Sequence, residues 1–485
     1  MSDGRPQTVP AEGGRPAEAP PYLSVDDRDR RLILIMAILA SLLGNMGMVG
    51  LNLGLPDIER ELGLSAVLLG WVSLSQFMAM AVMAAPGAKL ADIWGRRRTT
   101  IICLVLCIAG LALCALAWNP ASLLAGRVVT GLGLAIVFTN NMAMATSVHP
   151  PERRGRVLGY TVASVYVGLS LGPMVCGYLV GWFGWRSIFW LSLAGFVPPL
   201  IICLMVKVEQ RPARGERFDL KSAFLWAAGV ATLFFGLTRI NQPPSGPALT
   251  AAGLVLAYAY VRVSLRSANP ILDIRLFTES RRFAFSSLAS FISYSASTGT
   301  GLLLSLYLQY TKGLSAPQAG LILMVQPACQ AVLTPFAGRL SDRIDAGLMA
   351  SVGMSLLCLA LVLLALTLTP ATSTLHFIFL LMILGVGFAI FAAPNSNAII
   401  GSAPPARVGQ ASGIITATRL CGQVFSISLT TLIFSLVIGP GRIEPEKYPA
   451  FMEAATICFT IFVPICFVGI LASLARGRGG KDTAK

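Results

Sequence analysis

Fourteen apolar runs, each long enough to cross a lipid bilayer, decide what this chain can fold into. They lie near residues 32–55, 66–88, 99–118, 121–146, 157–180, 187–206, 220–238, 248–265, 283–310, 316–337, 348–368, 374–400, 411–438 and 452–474. A hydrocarbon core of about 30 Å takes about 20 helical residues. Lipid offers backbone groups no hydrogen-bond partner, so each run is expected to be a helix. Composition agrees: 55% of the 485 residues are hydrophobic and 12% charged, with a mean hydropathy of +0.73. Soluble domains carry about 25% charged residues. The expected fold class is an all-α membrane protein with 14 transmembrane helices. The runs at 220–238 and 248–265 are the least secure, the second being short and holding Arg262.

The formal charge of +15 does not point to nucleic acid, because the basic residues sit in the gaps between apolar runs. Of the 37 Lys and Arg, 29 fall on the side of the N-terminus and six on the other, and Arg127 and Arg419 lie inside spans 4 and 13. That asymmetry places both termini in the cytoplasm and the chain in the cell (inner) membrane. Residues 1–31 have the composition of a disordered tail. No short apolar segment with a cleavage site precedes the first run, which is expected to stay as an anchor. All ten cysteines fall in apolar runs without a CxxC pair and read as packing residues, so no metal is expected. No phosphate-binding G-x-x-x-x-G-K-[ST] loop occurs, and no cofactor is expected.

An internal repeat organises the runs. Gly131-Leu132-Gly133 recurs as Gly385-Val386-Gly387, and Pro150-Pro151 recurs as Pro404-Pro405, both at an offset of 254. Lys89-Leu90-Ala91-Asp92 matches Arg339-Leu340-Ser341-Asp342 at an offset of 250. The expected organisation is a cytoplasmic tail (1–31), a six-helix half (32–206), an inserted helix pair with linkers (207–282), a second six-helix half (283–474) and a cytoplasmic tail (475–485). Repeated halves with a midplane site between them are characteristic of secondary transporters.

Three segments stand out. Between spans 2 and 3, Ala88-Lys89-Leu90-Ala91-Asp92-Ile93-Trp94-Gly95-Arg96-Arg97-Arg98 sets one acid in a basic turn, with Gly95 for the reversal. Span 4 holds Arg127-Val128-Val129-Thr130-Gly131-Leu132-Gly133. Span 5 holds Gly168-Leu169-Ser170-Leu171-Gly172-Pro173, with Gly177 beyond, a small-residue face that lets helices approach. Together with Asn52-Leu53-Gly54-Leu55-Pro56 and Phe218-Asp219-Leu220, these resemble the signatures of the major facilitator superfamily, and within it the fourteen-helix drug:proton antiporters. The resemblance implies a major facilitator fold and assigns gating roles to Asp92, Gly95, Arg96, Arg127, Gly131, Gly168, Gly172, Pro173 and Asp342. The loop acid of that family contacts a helix N-terminus of the opposite half and latches one conformation.

The chain also departs from the pattern. Gly47 stands where such antiporters commonly carry an acid in the first helix, and Ala88 and Cys176 replace family glycines. No carboxylate falls clearly within a span; Asp57 and Glu453 are placed at helix ends and the other acids in loops or tails. With two intramembrane arginines and no acid, the cavity is expected to disfavour cations and accept neutral or anionic compounds. Asn45, Asn52, Gln76, Asn141, Tyr166, Tyr294, Gln326, Gln330, Asn395, Arg419 and Gln423 are the candidate cavity residues. The function expected is secondary active efflux of small amphipathic molecules by alternating access, with protons as the candidate coupling ion. An organic-anion or metabolite carrier, or a non-transporting receptor, is the alternative. No enzymatic chemistry is expected, because clustered acids, a His pair or a nucleophile at membrane depth are missing. The partners expected are a small-molecule substrate and the lipid bilayer, for a chain acting as a monomer.

Overall fold

A computed structural model describes residues 25–476 except 268–269, 342 and 405–406. Most of both expected tails, and Asp342, lie outside the described residues. The helices are α1 (Asp27–Leu62), α2 (Ala66–Trp94), α3 (Arg96–Ala115), α4 (Pro120–Ser147), α5 (Pro151–Phe183), α6 (Arg186–Met205), α7 (Leu220–Thr238), α8 (Ser245–Arg266) and the short α9 (Arg275–Glu279). Then follow α10 (Arg281–Leu306), α11 (Ala316–Leu323), α12 (Val325–Leu340), α13 (Ala346–Thr367), α14 (Thr374–Gly401), α15 (Val408–Val437) and α16 (Tyr448–Ala475). Every predicted run is found as helix, span 10 being divided into α11 and α12. Pro327 explains the division, since it has no N–H to offer the Leu323 carbonyl.

Among the described residues thirteen helices are long and apolar enough to cross a membrane. The fourteenth, α10, is long enough but rich in serine and threonine. Its Ser286, Ser287, Ser290, Ser293, Ser295, Thr300 and Ser305 are buried within the protein, where helix packing tolerates small polar groups.

The two halves repeat in three dimensions. In the first, α1 packs on α4, α5 and α6, α2 on α4, and α3 on α4 and α6. In the second, α10 packs on α14, α15 and α16, α12 on α14, and α13 on α14 and α16. The glycine pair found in sequence serves this packing. A Cβ on Gly131 would lie 2.5 Å from the Gln76 carbonyl, and one on Gly385 would lie 2.6 Å from the Gln326 carbonyl. The inserted helices pair with each other, and α7 covers the seam between α2 and α15. There Trp226 Nε1 donates to the Ala81 carbonyl at 3.1 Å.

α1 is longer than its apolar run at both ends. It begins at Asp27, inside the expected tail, and continues through Pro56, Asp57, Glu59, Arg60 and Glu61 to Gly63, whose φ of 69° ends it. Charged residues end an apolar run without ending a helix; a left-handed glycine does end one. The assignment of these acids to a helix end or loop is therefore corrected: Glu59 is inside α1 and 3% exposed.

Candidate transport pathway

α1 starts, and α16 finishes, at what we call the tail-side end of the bundle; the opposite one is the far end. Between the halves, α2 packs on α15, α5 on α11 and α12, and α1 on α10.

The far end is closed by polar bonds and close backbone contact. Glu59 of α1 accepts hydrogen bonds from the Tyr310 hydroxyl and from the Ile443 N–H, the latter at 2.6 Å. Tyr310 reaches it because α10 finishes in a π-turn, Tyr307–Thr311. The Ala66 N–H donates to the Gly441 carbonyl at 3.1 Å, and Ser305 Oγ to the Asn52 carbonyl at 2.9 Å.

The glycine-proline segment of α5 runs into this closure. Gly168 and Gly172 lie against α1, where a Cβ would meet Leu42 and Met46 backbone, and Cys176 faces Gly50 of α1. Further along, the segment meets the other half: a Cβ on Gly177 would lie 2.6 Å from the Ala316 carbonyl, and one on Gly320 would strike the Pro173 carbonyl. At the tail-side end of the same helix the space is empty, with nothing within 4 Å of a Cβ on Gly155 or Gly159. Gly409, at the start of α15, is equally open.

The turn between α2 and α3 is built as its sequence suggests, with Gly95 at φ 120°. Its acid behaves differently. Asp92 pairs with Arg96, one turn away, at 2.8 Å. The helix N-terminus nearby is capped by another residue: Glu209, after α6, accepts from the N–H groups of Arg97 and Arg98 at 3.0 and 3.2 Å. An anion at this position is favourable for α3. Lys89 pairs with Glu216 at 2.6 Å, tying the turn to the same linker.

Tyr166, Tyr294 and Arg419 come together between the halves. The Arg419 guanidinium lies 5.0 Å from the Tyr294 ring centre, and Tyr294 packs edge-on against Phe388 at 5.3 Å. Tyr166, on α5, is near enough to feel both Tyr294 and Arg419. Gln326 and Gln423 are half-buried and Gln330 is buried. Asn52 enters the far-end closure through its carbonyl, and Asn45 bonds to Ser41 of its own helix at 2.7 Å.

Other candidates turn into their own halves. Arg127 is 3% exposed and donates from Nε to the Val72 carbonyl at 3.0 Å. Gln76 and Asn141 are buried, with Gln76 Oε1 and both polar atoms of the Asn141 amide lacking a partner. Asn395, the repeat mate of Asn141, is fully engaged. It donates to the Ser286 carbonyl at 3.0 Å and accepts from Arg476 at 3.1 Å. Arg476, within the expected C-terminal tail, is buried and also bonds Ser286, Ser473 and the Gly347 carbonyl.

Comparison with known proteins now places the chain. Residues 34–261 and 286–483 match the profile of the Major Facilitator Superfamily. The chain belongs to that superfamily and is a multi-pass membrane transporter. It is 30% identical over 385 residues to the multidrug resistance protein Stp of Mycobacterium tuberculosis, covering 78% of this chain and 71% of that one. It is 23% identical over 454 residues to the riboflavin transporter RibZ of Clostridioides difficile, covering 92% and 97%. In fold it is similar to a bacterial homologue of the lysosomal transporter Spinster, solved in an inward-facing, unoccupied conformation. That match has a TM-score of 0.68 at 18% identity and covers 94% and 100% of the two chains.

Proposed function

We propose that the chain is an exporter of small amphipathic molecules that works by alternating access of its two halves, 32–206 and 283–474. The observation that carries this reading is the asymmetry of the seam: bonded around Glu59 at the far end, open around Gly155 and Gly159 at the tail-side end. The charge asymmetry of the loops supports a cytoplasmic tail-side end, and on that reading this is an inward-open state of a protein in the cell membrane. Glu59, Gly177 and Gly320 then form the outer gate, while the Asp92–Arg96 turn and the Glu209 cap belong to the inner one.

The cavity suits neutral or anionic aromatic compounds. Tyr294 and Tyr166 offer rings, backed by Phe388, and Arg419 offers a cation with no ion pair among the described residues. The multidrug resistance relatives favour a broad substrate range, and the similarity to a riboflavin transporter supports an aromatic substrate. An organic-anion carrier is the second reading, and Arg419 is the residue that favours it. Proton coupling stays a proposal from the antiporter resemblance. The test is efflux from proteoliposomes of matched neutral, anionic and cationic dyes, with and without a pH gradient. Neutral and anionic dyes should move faster than the cation, and Arg419→Gln should remove the preference for anions. Robust gradient-driven efflux of a permanent cation would contradict this cavity reading.

A further inference from the structure

Arg419 stands about 16 Å of helical rise from the start of α15 at Val408, near the middle of a hydrocarbon core of about 30 Å. It is exposed there and faces the gap between the halves, with Tyr294 of α10 under its guanidinium and Tyr166 of α5 near enough to feel its charge. Among the described residues it makes no hydrogen bond or ion pair. Gln423, one turn further along α15, is half-buried and adds an amide donor on the same side.

The surrounding helices offer this cation no counter-charge at its depth. α4, α10, α11, α12, α14 and α15 contain no Asp or Glu. The acid of α5 is Glu152 in its first turn, and that of α2 is Asp92 at its tail-side end. The acids of α1 lie in its first turn or at Asp57, Glu59 and Glu61 by the far end. Exchange of a substrate for a proton needs a side chain in the site that holds either one. The titratable groups beside Arg419 are the phenols of Tyr166 and Tyr294, and phenols stay protonated at neutral pH. The guanidinium stays charged.

We infer that the chain carries monovalent aromatic anions as a uniporter, with the anion's charge on Arg419, its ring beside Tyr166 and Tyr294, and the membrane potential as the driving force. The inference rests on the exporter reading above and gives it a direction. A full cycle returns Arg419 with the protein and moves the substrate's charge alone, so an interior-negative potential drives an anion outward. A potential of about 100 mV expels a monovalent anion about 50-fold. No proton is needed for this class of substrate.

The test uses the full chain in proteoliposomes, with a naphthalenesulfonate as an aromatic anion that stays charged at every working pH. With valinomycin setting an interior-positive potential of about 100 mV and equal pH on both sides, the vesicles should concentrate the probe about 50-fold. Reversed polarity should exclude it, and a pH gradient at zero potential should concentrate nothing. Arg419→Gln should slow entry at least about tenfold, and Arg419→Lys should keep the response to polarity. Accumulation that ignores polarity, or that follows the pH gradient at zero potential, would overturn the inference and leave the exporter reading standing. Unslowed entry in Arg419→Gln would do the same, as would neutral dyes that move while the sulfonate does not. If no dye moves at all, the exporter reading falls with it. Should Arg419→Gln fail to insert, the polarity response of the unmodified chain decides alone.

Discussion

The glycines near the two ends of α5 meet different surroundings. Near its start, Gly155 and Gly159 face empty space; near its finish, Gly177 and Gly181 press on Ala316 and Pro317 of the other half. The same residue type is spare room at one end and a requirement at the other. The seam is thus asymmetric along a single helix, and under the proposed function Gly177 and Gly181 fall at the outer gate.

The largest effect should come from filling the closed end. Gly320→Leu puts a side chain against the Pro173 carbonyl, where backbone faces backbone and neither side can yield. Transport should fall at least about tenfold, with the protein still inserted. A cysteine at Asn52 should react faster with external reagent. Normal transport by Gly320→Leu would show that the far end does not need this contact.

Removing the bonds should act less severely. Glu59→Ala leaves the Ile443 N–H and the Tyr310 hydroxyl buried without an acceptor, at a cost of about 1–3 kcal/mol. That shifts the closed-to-open balance of the far end about tenfold, again read by external labelling at Asn52. Labelling unchanged from the unmodified chain would reduce Glu59 to a packing residue.

Much of this seam was legible in the sequence, and some was not. Gly168, Gly172 and Gly177 could be read because small residues at helical spacing have few other uses in a membrane helix. The repeat could be read because Gly131 and Gly385 meet the same constraint, a glutamine carbonyl at contact distance. Glu59 was hidden because the apolar run stops at Leu55, whereas the helix continues to Leu62. Arg476 was hidden because a cation after the last apolar residue reads as a tail, although here it folds back onto Asn395. The asparagines and glutamines could not be sorted from sequence. A polar group on an apolar helix reaches the central cavity or its own half according to rotation about the helix axis, and Asn395 and Tyr294 fell on different sides of that division.

Smaller effects belong to the tail-side end. Asp92→Asn removes a half-exposed i,i+4 pair with Arg96, so stability should change by no more than about 0.5 kcal/mol. Transport should nevertheless slow if the turn takes part in closing the inner gate; expression measured beside efflux rate separates the two. Unchanged efflux would confine Asp92 to holding Arg96 in place. Gly155→Ala should do least. Its Cβ enters empty space and favours the helix by up to about 1 kcal/mol, so Tm should hold or rise while Gly177→Ala lowers it.

The central claim is that the two ends open in turn. Spin labels placed on a cysteine-free background at Arg60 and Glu444 report the far end, and labels at Arg156 and Gln410 report the tail-side end; all four positions are exposed. Pulsed electron-spin distances in lipid vesicles, with and without a transported aromatic compound, should move in opposite directions. The far pair should be short and the tail-side pair long in the resting protein, with a second population reversed when substrate is present. Two distances that lengthen together, or a single unchanging population at both ends during transport, would contradict alternating access by these halves.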